Sequence, residues 1–140
     1  MTCVKMELKK KEPKMKDILM SIHGKWAKLI YSGEKTVELR KNAPKGILDE
    51  DAKIFLYETD LKCITGVIYV KWCHEIPEIS QKLIEDSCVS REEIEAYKAK
   101  GNGKLYAWEI CGVDEYGPDW LQLEDIHAKR APQSWQYVRL

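Results

Sequence analysis

The sequence predicts a small α+β protein in which a mixed sheet curls into a barrel flanked by short helices. Three observations point there. The chain has 140 residues, the commonest size for one domain with a continuous core. Two neighbouring runs, Ala52–Glu58 and Ile64–Trp72, are apolar on both faces, as in strands inside a barrel that helices cover from outside. The expected order is a strand, a helix, four strands with a helical insert and a last strand, which suits a small barrel and not a doubly wound sheet.

Residues 1–16 read as a basic arm preceding a domain over 17–140. Lys5, Lys9, Lys10, Lys11, Lys14 and Lys16 gather there, and Pro13 interrupts any helix. Such an arm suits contact with phosphates, and equally a solvated tail or an added edge strand. Ile18–Ile22 is the first core strand. From His23 the period becomes helical, with Trp26, Leu29 and Ile30 on one face. Gly33 follows as the left-handed stop. Lys35–Arg40 then alternates, Val37 and Leu39 pointing one way and Thr36, Glu38 and Arg40 the other. Pro44, Gly46 and the acids 49–51 make a loop. Beyond the two doubly apolar strands, Glu75–Glu85 reads as an amphipathic helix with the stripe Ile76, Ile79 and Leu83. Ser90 and Glu93 fit a capping box that opens a short helix carrying Ile94 and Tyr97. Gly101–Gly103 turns into the strand Leu105–Ile110, and Ser134–Leu140 is the last strand. Most of the five tryptophans belong in the core of so small a barrel.

Charge divides the chain. Residues 1–45 hold 12 Lys/Arg and 5 Asp/Glu, a net of +7, and the remainder holds 11 and 18, a net of −7. The split fits contact with nucleic acid; it also fits two halves that neutralise each other in the fold. No apolar run approaches the roughly 18 residues of a membrane helix. The first residues are charged and polar where a secretory leader would be apolar. The expectation is a cytoplasmic protein without a membrane partner. The five cysteines form no CxxC pair, and Cys73-His74 lacks a second pair at zinc spacing. Reduced, mostly buried thiols and no metal or cofactor are expected.

Chemistry concentrates in Gly33-Glu-Lys-Thr-Val-Glu-Leu-Arg40, where a helix ends and a strand begins. On a face lining a cleft, Lys35 and Arg40 offer cationic donors to a phosphate or carbonyl, and Arg40 also suits stacking on a base. Glu38 suits an exocyclic amine or acid–base work. On pattern alone, a surface Glu38–Arg40 ion pair explains the same residues. A second group is Arg130-Ala-Pro-Gln-Ser-Trp135. There Arg130 and Gln133 suit nucleic-acid contact, while Trp135 suits stacking or, first, packing. His23 reads as a polar residue at a helix start. No HxxxH, GxSxG or cysteine-nucleophile pattern occurs.

These segments resemble the ASCH domain, a branch of the PUA-like superfamily. The resemblance runs from Ile18–Ile22 through Trp26–Ile30 to Ser32–Arg40, which matches the family's GxKxxExR signature. It continues through Lys53–Glu58, Thr65–Val70, the helix pair and Tyr106-Ala-Trp108, and ends in Arg130–Val138. The resemblance implies a PUA-like β-barrel with a cleft beside the signature that binds RNA or other nucleic acid. It implies Gly33, Lys35, Glu38 and Arg40 as signature positions, the last three facing the cleft. One branch of the family hydrolyses N4-acetylcytidine with the signature lysine and a threonine three residues on. Here Lys35 is kept, but the later position is Glu38; Glu75 and Glu78 are the candidates for that branch's further glutamate. Other members are nucleases, and this sequence lacks the carboxylate cluster of a metal nuclease.

The expectation is therefore a module that takes single-stranded RNA or a modified base into the cleft, using Lys35, Glu38, Arg40, Arg130, Gln133 and Trp135. The alternative is a small amidohydrolase acting on N4-acetylcytidine-type nucleosides, with Lys35 and Glu38 catalytic. A regulatory protein-interaction domain, resting on the acidic C-terminal part, is a third reading.

Overall fold

The computed structural model describes residues 17–45 and 51–138. The basic arm at 1–16, and Gly46, Asp49 and Glu50 of the expected loop, lie outside the described residues. Strand β1 (Ile18–Ile22) leads into helix α1 (Gly24–Tyr31) and strand β2 (Val37–Arg40). Strands β3 (Ile54–Glu58) and β4 (Cys63–Glu75) follow. Helices α2 (Gln81–Ser87) and α3 (Arg91–Lys100) separate them from β5 (Tyr106–Glu115). A 3-10 turn at Leu123–Ile126 precedes β6 (Trp135–Tyr137).

The six strands form one curled sheet in the order β2-β5-β4-β3-β1-β6. The β1–β3 pair is parallel, as a strand–helix–strand crossover requires, and the other pairs are antiparallel. Strands β2 and β6 end the sheet, and side chains rather than a ladder join those ends. Trp135 Nε1 donates to Asn42 Oδ1 at 2.7 Å, and Trp108 Nε1 donates to Asn42 O at 3.3 Å. The result is the expected α+β, PUA-like architecture.

Doubly apolar strands are buried on both sides, as their sequences require. One side of the sheet gathers Ile18, Met20, Ile22, Ile54, Leu56, Ile68, Val70 and Trp108 with Ala27 and Ile30 of α1. Leu19, Phe55, Tyr57, Ile64 and Val67 pack on a second cluster with Ile126 and Val138. A third cluster sets Val37 and Leu39 against Leu83 and Ile94, so α2 and α3 cover the outer face of β2. Glu38 and Arg40, at the alternate positions, are left for the inner face.

The sequence reading differs from the structure at several places. The helix expected from Glu75 begins only after Ser80, whose hydroxyl accepts the Leu83 N–H at 3.1 Å. Strand β4 runs on to Glu75 opposite Tyr106, and residues 76–80 form an irregular connection. Ile76, Ile79 and Leu83 still share one apolar cluster, which is why they mimic a helical stripe. Strand β5 extends past Ile110 to Glu115 because β4 continues beside it. Trp108 is fully buried and Trp26 and Trp135 pack against the core, but Trp72 and Trp120 are exposed. Trp72 lies stacked on His74 with ring centroids 4.0 Å apart.

Candidate functional site

The signature turn is built by backbone hydrogen bonds. Ser32 N donates to Lys28 O, and Gly33 N to Ile30 O at 3.0 Å, closing the last turn of α1. Gly33 has φ +86°, the left-handed conformation that favours glycine. Lys35 N then reaches back to Leu29 O, and Thr36 N donates to Asp86 O at the end of α2. Lys35 is thereby fixed before the strand begins, with its side chain pointing inward.

Three charged side chains meet there, with relative exposures of 2% for Lys35, 6% for Glu38 and 8% for Arg40. Lys35 Nζ donates to Ser87 O at 2.6 Å and lies 3.3 Å from Glu38 Oε1. The other carboxylate oxygen, Oε2, accepts from Arg40 Nε at 2.9 Å. Lys35 Nζ also stands 5.0 Å from the Trp26 ring centroid, a favourable cation–π distance. The Glu38–Arg40 pair is therefore real but buried, not the surface pair that the pattern alone allows. Burial by itself would raise the Glu38 carboxyl. The charges of Arg40 and Lys35, with their hydrogen bonds, outweigh that and hold it below the usual carboxylate range.

The three residues form the floor of an open cleft of about 840 Å³. One wall comes from α3 and the residue before its cap, with Val89, Glu93, Tyr97 and Lys100. The opposite side carries Trp26, His23 and Thr59, and the tail contributes Gln133 and Ser134. At the mouth, Lys41 Nζ lies 4.7 Å from the Tyr97 ring centroid. The floor itself carries a net charge of +1.

The structure thus brings Lys35, Glu38, Arg40 and Gln133 to one cleft. It does not bring Arg130 or Trp135 there: Arg130 is exposed elsewhere. Trp135 packs edge-on to Trp108, with centroids 5.4 Å apart. Glu75 and Glu78 are not among the lining residues either. His23 does line the cleft, at the start of α1 as read, with Nδ1 3.3 Å from Thr59 Oγ1. Sequence reasoning missed Lys41, Asn42, Tyr97, Lys100 and Ser134. Only Tyr97 carried a signal, and its helical spacing marked it as a packing residue.

Among the described residues no three His, Cys, Asp or Glu side chains cluster as metal ligands. His74 Nε2 instead lies 2.9 Å from Glu109. Burial pushes the neighbouring Cys73 thiol up to about 12, which removes it as a nucleophile. Among the described residues Cys63, Cys73, Cys88 and Cys111 are free; against the expectation of mostly buried thiols, Cys63 is buried, Cys73 and Cys88 are half-buried and Cys111 is exposed. Among the described residues no helix is long and apolar enough to cross a membrane.

A family model for the ASCH domain matches residues 20–121. Among solved structures, the ASCH protein from Zymomonas mobilis is 25% identical with a TM-score of 0.70, over 89% of this chain and 88% of that one. A serine-to-alanine mutant of the same protein gives 25% identity and a TM-score of 0.75, over 91% and 92% of the two chains. Among curated protein sequences none matches the chain significantly. The matched span runs from β1 into the segment after β5 and contains the whole Gly33–Arg40 turn, and the chain belongs to the ASCH domain family.

Proposed function

We propose that this domain is a cytoplasmic reader of single-stranded RNA that takes one unstacked base, plain or modified, into the cleft. The observation that carries this reading is the Lys35–Glu38 pair, a donor and an acceptor 3.3 Å apart on the cleft floor. An ammonium has three N–H donors, and two of those of Lys35 face Ser87 O and Glu38. One donor therefore remains, and Glu38 Oε1 keeps a lone pair. Neighbouring donor and acceptor groups complement the amide or amidine edge of a nucleobase. The lysines at the mouth, Lys41 and Lys100, favour an anionic backbone outside. Gln133 adds an amide at the rim.

The test is binding of short single-stranded RNAs at two salt concentrations. Lys35→Ala is expected to weaken binding at least tenfold, about 1.4 kcal/mol, since the lost bond is charge-assisted. Affinity that ignores both salt and this substitution contradicts the reading.

The same pair supports a second reading, hydrolysis of an N4-acetylcytidine-type amide, with Lys35 orienting the carbonyl and Glu38 handling protons. Against it stands the lowered Glu38 pKa, which makes that carboxylate a weak base near neutrality. Turnover of N4-acetylcytidine that vanishes in Lys35→Ala would establish it. Absence of turnover at high enzyme concentration leaves the binding module.

A further inference from the structure

We infer that Arg40 is a positioning residue: it clasps the two ends of the curled sheet and fixes the Glu38 carboxylate, and it does not touch the ligand. An arginine in a basic cleft is ordinarily read as a phosphate or base contact. Here each of its three guanidinium nitrogens already has a protein acceptor. Nε donates to Glu38 Oε2 at 2.9 Å. Nη2 donates to Ser21 O at 2.9 Å and lies 2.6 Å from Glu38 Oε2. Nη1 donates to Ser134 Oγ at 3.1 Å and Ser134 O at 3.3 Å.

These partners belong to different parts of the sheet. Glu38 shares β2, one end of it; Ser21 lies in β1, and Ser134 stands just before β6, the other end. Ser21 ties the same loop down, its N–H donating to Ser134 O and its hydroxyl to Pro132 O at 2.7 Å. Arg40 is thus the knot where the two ends meet. Its planar fork suits the task, because five N–H donors spread over three nitrogens reach acceptors farther apart than the three donors of one lysine nitrogen can. With Glu38 Oε2 facing Arg40, Oε1 is turned toward Lys35, the pair proposed above to read the ligand. The inference rests on that reading for its ligand arm alone.

The test compares Arg40→Lys, Arg40→Ala and Ser134→Ala with the wild type by two readouts. The first is the Glu38 carboxyl titration followed by carbon-13 NMR. The groups facing that carboxyl are Arg40, Lys35 and Tyr97, with His23, Lys41, Glu93 and Lys100 around the cleft. The second is the salt dependence of single-stranded RNA binding. A positioning role predicts an upward shift of the Glu38 titration in Arg40→Lys, although charge is kept, and a smaller one in Ser134→Ala. It predicts an unchanged salt slope in Arg40→Ala, because no phosphate contact is lost. A slope reduced by about 0.7 in Arg40→Ala, the share of one single-strand phosphate contact, overturns the inference. So does a Glu38 titration that Arg40→Lys leaves in place. If Arg40→Ala does not fold, Arg40→Lys and Ser134→Ala still decide by titration. If the wild type binds no RNA, the proposed function fails, while the titration still tests Arg40.

Discussion

Replacing Glu38 by alanine is expected to destabilise the fold by about 3–5 kcal/mol, a large fraction of the stability of a domain this size. Among the described residues this carboxylate is the one ion-pair partner of two cations, Lys35 and Arg40, that are themselves almost fully buried. Removing it leaves two unpaired positive charges out of water, and that desolvation outweighs the small loss of packing. Glu38→Gln keeps shape and one acceptor but not the charge, so a smaller loss is expected. Denaturant titration of the three proteins gives the comparison directly. The acid limb of stability should change too. The folded carboxyl lies below its usual range. Its contribution is therefore fully present above the unfolded value, roughly pH 4.3, and is lost as pH falls through the lower folded one. In Glu38→Gln that part of the slope should be missing; an acid limb identical to wild type contradicts the buried pair.

The second large effect belongs to Gly66, on β4. A Cβ there would stand 2.5 Å from Asp114 O and 2.7 Å from the Tyr31 hydroxyl. One obstacle is backbone of the neighbouring strand, which cannot swing aside. The other is held by a 2.8 Å hydrogen bond between Tyr31 and Thr65. Gly66→Ala should therefore lower stability by about 3 kcal/mol, and Tm by roughly 10 °C. Tyr31→Phe removes one of the two obstacles. The double variant should then lose less than the sum of the single losses, a coupling expected of residues in contact. Strict additivity would mean that the hydroxyl does not limit the site.

Neither effect could be read from the sequence, although much of the fold could. The Gly33–Arg40 turn was legible because three local rules agree on it: helical spacing that stops, a glycine at φ > 0, and strict alternation after it. That alternation also placed Glu38 and Arg40 opposite Val37 and Leu39, as found. Burial of the charged face was not legible. It depends on α2 bringing the Ser87 carbonyl to Lys35, and on Ser134 arriving from 94 residues away. The late start of α2 escaped because Ile76 and Ile79 are apolar for a reason unrelated to helix period: they pack in the cluster that β2 and Ala107 of β5 share with the two helices. Trp135 carries the same lesson. The tail that holds it was identifiable, but only the sheet order shows that its ring faces Trp108 and Tyr137 rather than the cleft.

The most direct test of the account is an amide NMR shift map of the protein titrated with a short single-stranded RNA. The account predicts the largest shifts at Lys35, Glu38 and Asn42, at Tyr97 on the facing wall, and at Gln133 and Ser134, with Lys35→Ala strongly reducing them at matched concentration. Shifts confined to another face, or the same map in Lys35→Ala, would contradict it.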